Sequence, residues 1–142
     1  MQTELPDGFA ERMKPLGLAE TYDGSGWCFV EKAISGGVKV GNQRLDLGLR
    51  TSESYYHLLT MQCAAKREPP LMPDKVLHLL ETEKQFTAKA DVGVVDKVYR
   101  TFFAGVSGYA KKLDFSKLKW GDEEVKHLVQ VLPEFARLST LE

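Results

Sequence analysis

The stretch 113-LDFSKLKWGDEEVKHLVQVLPEFARLSTLE-142 opens and closes on the same step. Leu113-Asp114 and Leu141-Glu142 stand 28 positions apart. Between them the pattern changes period once. Leu113 and Phe115 alternate, as a short strand with one buried face does, and Leu118 and Trp120 carry the apolar series into a turn. Gly121-Asp122 is turn chemistry, and Asp122 is placed to cap a helix with Glu123 and Glu124 in its favoured first turn. Val125, Leu128, Val129 and Leu132 give that helix its apolar stripe, and Pro133 ends it. Phe135 and Leu138 lead back to a strand at Leu141. This is one whole unit of a repeat followed by the first step of another. Such a unit cannot bury its apolar face alone and needs neighbours to stack on.

Working outward from it, the rest of the chain reads as helical. Asp7 can cap a short helix through Met13, which Pro15 closes. Tyr22-Asp23-Gly24-Ser25-Gly26 is a turn. A helix follows from Trp27, with Ser25 as N-cap and Gly36-Gly37 as its stop. Trp27, Val30, Glu31 and Ile34 share one of its faces. Val38 to Leu47 reads equally as a hairpin about Gly41-Asn42 or as an irregular turn, and a longer helix would also fit. Thr51 or Ser52 caps a helix through Ala65, with Tyr55, Leu58, Leu59 and Cys63 as its stripe. Arg67-Glu68-Pro69-Pro70 is a stiff break. The spacing then predicts a helix over 73–84 burying Val76, Leu77 and Leu80. A further helix, over 90–104, would bury Val92, Val95, Tyr99 and Phe102 and end at Gly105 and Gly108. The expected fold is α+β and mainly α. A helical body over residues 1–108 carries a strand-helix unit over 109–142.

Composition narrows the function. The chain has 142 residues, 43% apolar and 27% charged, which suits one globular domain. Nineteen Lys and Arg against 20 Asp and Glu leave a formal charge of −1. That balance supplies no global field for nucleic acid or an anionic membrane. Cys28 and Cys63 are too few for a disulfide framework and lack metal-ligand spacing, so both are expected as reduced thiols. No apolar run reaches the ~20 residues a membrane span requires, and residues 1–8 lack a secretory pattern. A soluble cytoplasmic protein is expected. His57, His78 and His127 form no ligand pair, and Ser52, Ser54 and Ser107 lack a nucleophile elbow. Gly105-Val106-Ser107-Gly108 is a small turn rather than a phosphate loop. Lys111, Lys112, Lys117 and Lys119 are followed at once by Asp122, Glu123 and Glu124, so they read as a solvated face.

The residues Leu113, Phe115, Ser116, Gly121-Asp122-Glu123, Val125, Leu128, Leu132, Leu138 and Leu141 resemble one unit of the ribonuclease-inhibitor-like leucine-rich repeats. That family's unit is a strand, a turn, a helix and a return. Its asparagine after the strand is replaced here, Leu118 standing near that place. The resemblance implies a protein-interaction surface on the strand side, with Asp114, Ser116, Lys117, Lys119 and Glu142 as its polar contacts. It implies a protein partner, and an open strand edge makes self-association an expectation too. No metal or cofactor is expected.

Ser25-Gly26-Trp27-Cys28-Phe29-Val30-Glu31 is similar to the S-x-W-C-x-x-E segment of Toll/interleukin-1 receptor (TIR) domains. In the enzymatic members a glutamate there cleaves the nicotinamide–ribose bond of NAD. The resemblance implies Glu31 as a catalytic carboxylate, with NAD as substrate. A carboxylate can stabilise the oxocarbenium-like ribose that forms as nicotinamide leaves. The residues themselves also fit a plain structural role, with Trp27, Val30 and Ile34 in the core and Glu31 at its rim. No run of buried β-branched residues marks the parallel sheet a TIR domain needs. The order of this segment, then helices, then leucine-rich repeats, resembles that of large predicted proteins of unicellular algae. The leading expectation is a non-catalytic interaction or scaffold module.

Overall fold

A computed structural model describes residues 7–19, 21–38, 45, 49, 63–64, 66–116 and 118–142. The alternatives for 38–47 and the helix expected to end at Ala65 fall almost wholly outside these residues, as does Lys117. A short helix α1 (Phe9–Met13) passes into a 3-10 turn at Lys14–Leu16, which Pro15 occupies. A second 3-10 turn, Tyr22–Gly24, is held by Thr21, whose hydroxyl accepts from the Gly24 N–H at 3.0 Å.

Helix α2 (Gly26–Val38) begins against a backbone bridge to the far end of the next helical hairpin. The Gly26 N–H donates to the Gln85 carbonyl at 3.0 Å, and the Gln85 N–H donates to the Gly24 carbonyl at 2.8 Å. Gly26 is required here because a Cβ would stand 1.9 Å from the Phe86 ring. The expected stop at Gly36-Gly37 does not occur; α2 runs through both to Val38. Gly37 instead makes room for Phe102, whose Cζ would lie 2.6 Å from an added Cβ. The core face is also turned from the expected one. Val30 is buried and Phe29, Ala33 and Ile34 pack on the core, while Trp27 and Glu31 are exposed. Trp27 leans outward because its indole N–H donates to Asp91 at 3.1 Å.

Helices α3 (Pro73–Thr82) and α4 (Asp91–Tyr109) form a packed hairpin. Pro73 starts α3, where its missing N–H leaves no helical bond unmade, and Val76 and Leu80 are buried. Helix α4 does not end at Gly105 and Gly108. Its stripe of Val95, Tyr99, Phe103 and Ser107 stays buried past the first of them, and packing overrides the weak helix propensity of glycine. The Tyr99 hydroxyl donates to the Leu71 carbonyl at 2.8 Å and accepts from the Leu71 N–H at 3.1 Å. Burial pushes that phenol up to about 12. It also fixes the approach of the Pro-rich segment into α3.

The tail is strand β1 (Lys112–Leu113), helix α5 (Asp122–Val131) and strand β2 (Thr140–Leu141). The two strands pair in parallel, Lys112 opposite Thr140 and Leu113 opposite Leu141. The 28-residue interval of the sequence is therefore the register of the ladder. Parallel strands need a crossover between them, and α5 is that crossover. One buried cluster takes in Val30 of α2, Val76 of α3, Val95 of α4, Leu113 of β1 and Val131 of α5, with Phe135 beyond. Phe103 meets Phe135 edge-on, 6.2 Å between ring centres, and so links α4 to the tail. The fold is α+β and mainly helical. Among the described residues no helix is long and apolar enough to cross a membrane.

Candidate functional site

Asp114 and Glu142 adjoin the parallel pair, and the ladder determines which backbone groups remain available there. The Thr140 N–H donates to the Lys111 carbonyl at 3.1 Å, and the Glu142 N–H to the Leu113 carbonyl at 3.0 Å. The Phe115 N–H donates to the Glu142 carbonyl at 2.7 Å. Backbone groups alternate sides along a strand. With Thr140 and Glu142 directed at β1, the intervening Leu141 directs its N–H and carbonyl to the outer edge. Its side chain is 47% exposed.

On the opposite side, just past β1, Arg67 takes one backbone carbonyl. Arg67 is only 7% exposed and ties α2 to the segment that follows β1. Its Nη1 donates to the Asp114 carbonyl at 2.8 Å, and its Nε to the Gly36 carbonyl near the end of α2 at 2.9 Å. Its guanidinium stands 5.1 Å over the Phe115 ring. Phe115 in turn stacks on Trp120, 4.7 Å between centres. The Trp120 indole N–H donates back to the Arg67 carbonyl at 2.8 Å. The β1 side of the pair is thus tied to the body through Arg67 at Asp114, and Leu141 on the other side is directed outward.

Helix α5 is seated by the face that carries Glu124, His127, Leu128 and Val131. Lys66 meets Glu124 at 2.8 Å, His127 Nε2 lies 2.6 Å from Lys75 Nζ on α3, and Leu128 and Val131 are buried. The expected cap at Asp122 is corrected by one position. Gly121 precedes the helix, and the Glu124 carboxylate reaches back to accept its N–H at 2.9 Å. The bond from Lys66, with those from the Glu124 and Gly121 backbone N–H groups, brings the Glu124 carboxyl down to about 2. This seating also corrects the expected stripe. Val125 and Val129, one turn apart, are 47% and 59% exposed on the outward side of α5.

The predicted contact residues sort accordingly. Asp114 is exposed, and its Oδ1 accepts from the Ser116 hydroxyl at 2.7 Å and the Ser116 N–H at 3.0 Å. Those two bonds hold the Asp114 carboxyl below its usual range. Glu142 pairs across the ladder with Lys112 at 2.8 Å. Lys119 is exposed in the turn ahead of Trp120, at a left-handed φ of 53°. Lys117 lies outside the described residues. Leu141, Val125 and Val129 were missed as surface residues. The 28-residue register could have singled out Leu141, but no sequence signal separates Val125 and Val129 from core positions of α5.

Glu31 is exposed in the middle of α2 and takes no part in lining the cleft beside that helix, which Lys32 does line. Cys28 and Cys63 are both thiols, the first half-buried and the second buried. No family model, curated protein or solved structure matches this chain.

Proposed function

We propose that this protein is a docking module whose outer β2 edge and exposed α5 side receive a protein partner. The observation that carries the reading is the asymmetry of the parallel pair. Arg67 takes the Asp114 carbonyl just past β1, while Leu141 directs an N–H and a carbonyl away from β1 and Val125 and Val129 are exposed on α5. Backbone groups on an open edge offer an added strand hydrogen bonds in a fixed register. Two valines on the crossover helix offer an apolar contact to whatever follows that strand. Glu142 is the polar group that adjoins this edge, Asp114, Ser116 and Lys119 are the exposed polar groups of the segment after β1, and the same edge can serve a second copy of the chain.

Edge pairing is tested without touching the core. Leu141→Pro removes the outward N–H and leaves the ladder to β1 intact. Val129→Lys places a charge on the outer side of α5. Both variants are expected to keep the wild-type circular dichroism and melting temperature and to lose the proteins that the wild type captures in quantitative pull-downs. Capture that survives both changes would place the binding surface elsewhere. The competing reading, NAD cleavage by Glu31, rests on the resemblance of one segment. Nicotinamide release from NAD that disappears in Glu31→Gln would replace the docking reading.

A further inference from the structure

We propose that the cleft beside α2 binds a small zwitterion of the free amino-acid type. Its ammonium would face Asp23 and Glu68, and its carboxylate Lys84. The cleft encloses about 230 Å³, below the ~300–1,000 Å³ of pockets for drug-sized ligands, which suits a single amino acid. Phe29 and Leu71 supply an apolar wall; Asp23, Lys32, Glu68 and Lys84 supply the charge.

The charges are not evenly paired. Lys32 Nζ stands 3.1 Å from Asp23 and 3.3 Å from Glu68, so one ammonium serves two carboxylates. One negative charge is in excess at that end. Lys66, which also feels the charge of Glu68, is engaged by Glu124 at 2.8 Å. Lys84 makes no ion pair among the described residues; its Nζ rests 4.6 Å over the Phe29 ring centre. One positive charge is therefore in excess on the Phe29 side. The four groups sum to zero, so a plain anion or cation meets as much repulsion as attraction. A ligand carrying both charges matches both excesses, and its apolar side chain finds Phe29 and Leu71 between them. The two carboxylates are 60% and 59% exposed, so water competes at one end and the affinity is millimolar in scale.

The experiment titrates L-leucine into isotopically labelled protein and follows the backbone amides of Phe29, Lys32 and Lys84 by NMR. Saturable shifts are expected. N-acetyl-leucine and leucinamide, each lacking one charge, are expected to bind roughly threefold to fivefold more weakly. Lys84→Met should weaken leucine and leave leucinamide as tight or tighter, and Glu68→Gln should weaken leucine and leave N-acetyl-leucine as tight or tighter. Glu68 is exposed and Lys84 half-buried, and an otherwise unchanged spectrum verifies the fold. Absence of saturation at ~100 mM leucine, about a hundredfold above a millimolar Kd, overturns the proposal. So does equal binding of all three ligands, or leucine binding indifferent to Lys84→Met.

Discussion

Arg67 carries more of the architecture than its place in a Pro-rich break suggests. A buried guanidinium needs its donors satisfied, and this one gives them to carbonyls of Gly36 and Asp114 while lying flat on Phe115. Arg67→Met would keep much of the side-chain volume and remove every donor. Two carbonyls lose their partner, at roughly 1–3 kcal/mol for each one left buried and unsatisfied. The expected loss is about 2–4 kcal/mol, a fall in melting temperature of roughly 5–15 °C by calorimetry. A variant melting with the wild type would show that the tie between the body and the β1 side does not depend on this residue. Nothing in the sequence marks Arg67 for this role. Its partners lie 31 and 47 positions away, and contacts of that separation leave no local pattern.

At the scale of elements, the strand, the helix and their interval were legible because each has a period. The parallel pairing follows from repetition of Leu113-Asp114 at Leu141-Glu142. Faces and ends were less legible. Helix α2 runs past two glycines, and α4 past Gly105, because a neighbouring ring or a buried stripe outweighs the propensity of glycine to stop a helix. The outer valines of α5 read as core because their spacing is that of a core stripe; only the seating of Glu124, His127 and Leu128 turns them out. Glu124 gives this element a pH signature. Its carboxyl is depressed to about 2 from its ordinary 4.5, first by the bond from Lys66 and then by backbone N–H groups. A carboxyl lowered in the folded state adds stability that is full above its unfolded value and fades as pH falls toward its folded one. Acid titration of the melting temperature is therefore expected to show a decline between about pH 4.5 and 2 that is shallower in Glu124→Gln. Parallel curves for the two proteins would mean that the Lys66–Glu124 link contributes nothing to holding α5.

For the whole molecule, the helical body and the tail share one buried cluster, and the ladder directs the Leu141 N–H and carbonyl away from β1. That leaves an edge, and an edge strand with an outward apolar helix face is a surface for pairing. The measurement that tests this most directly is backbone amide exchange at Leu141, read in the protein alone and with a consensus 28-residue strand-helix unit fused after Glu142. In the protein alone, the Glu142 amide should be protected by its bond to Leu113 and the Leu141 amide should exchange quickly. In the fusion, Leu141 should slow by about tenfold or more as the added strand accepts its N–H, and the melting temperature should rise. A Leu141 amide already protected in the protein alone, or one that stays fast beside the fused unit with no gain in melting temperature, would contradict the docking account.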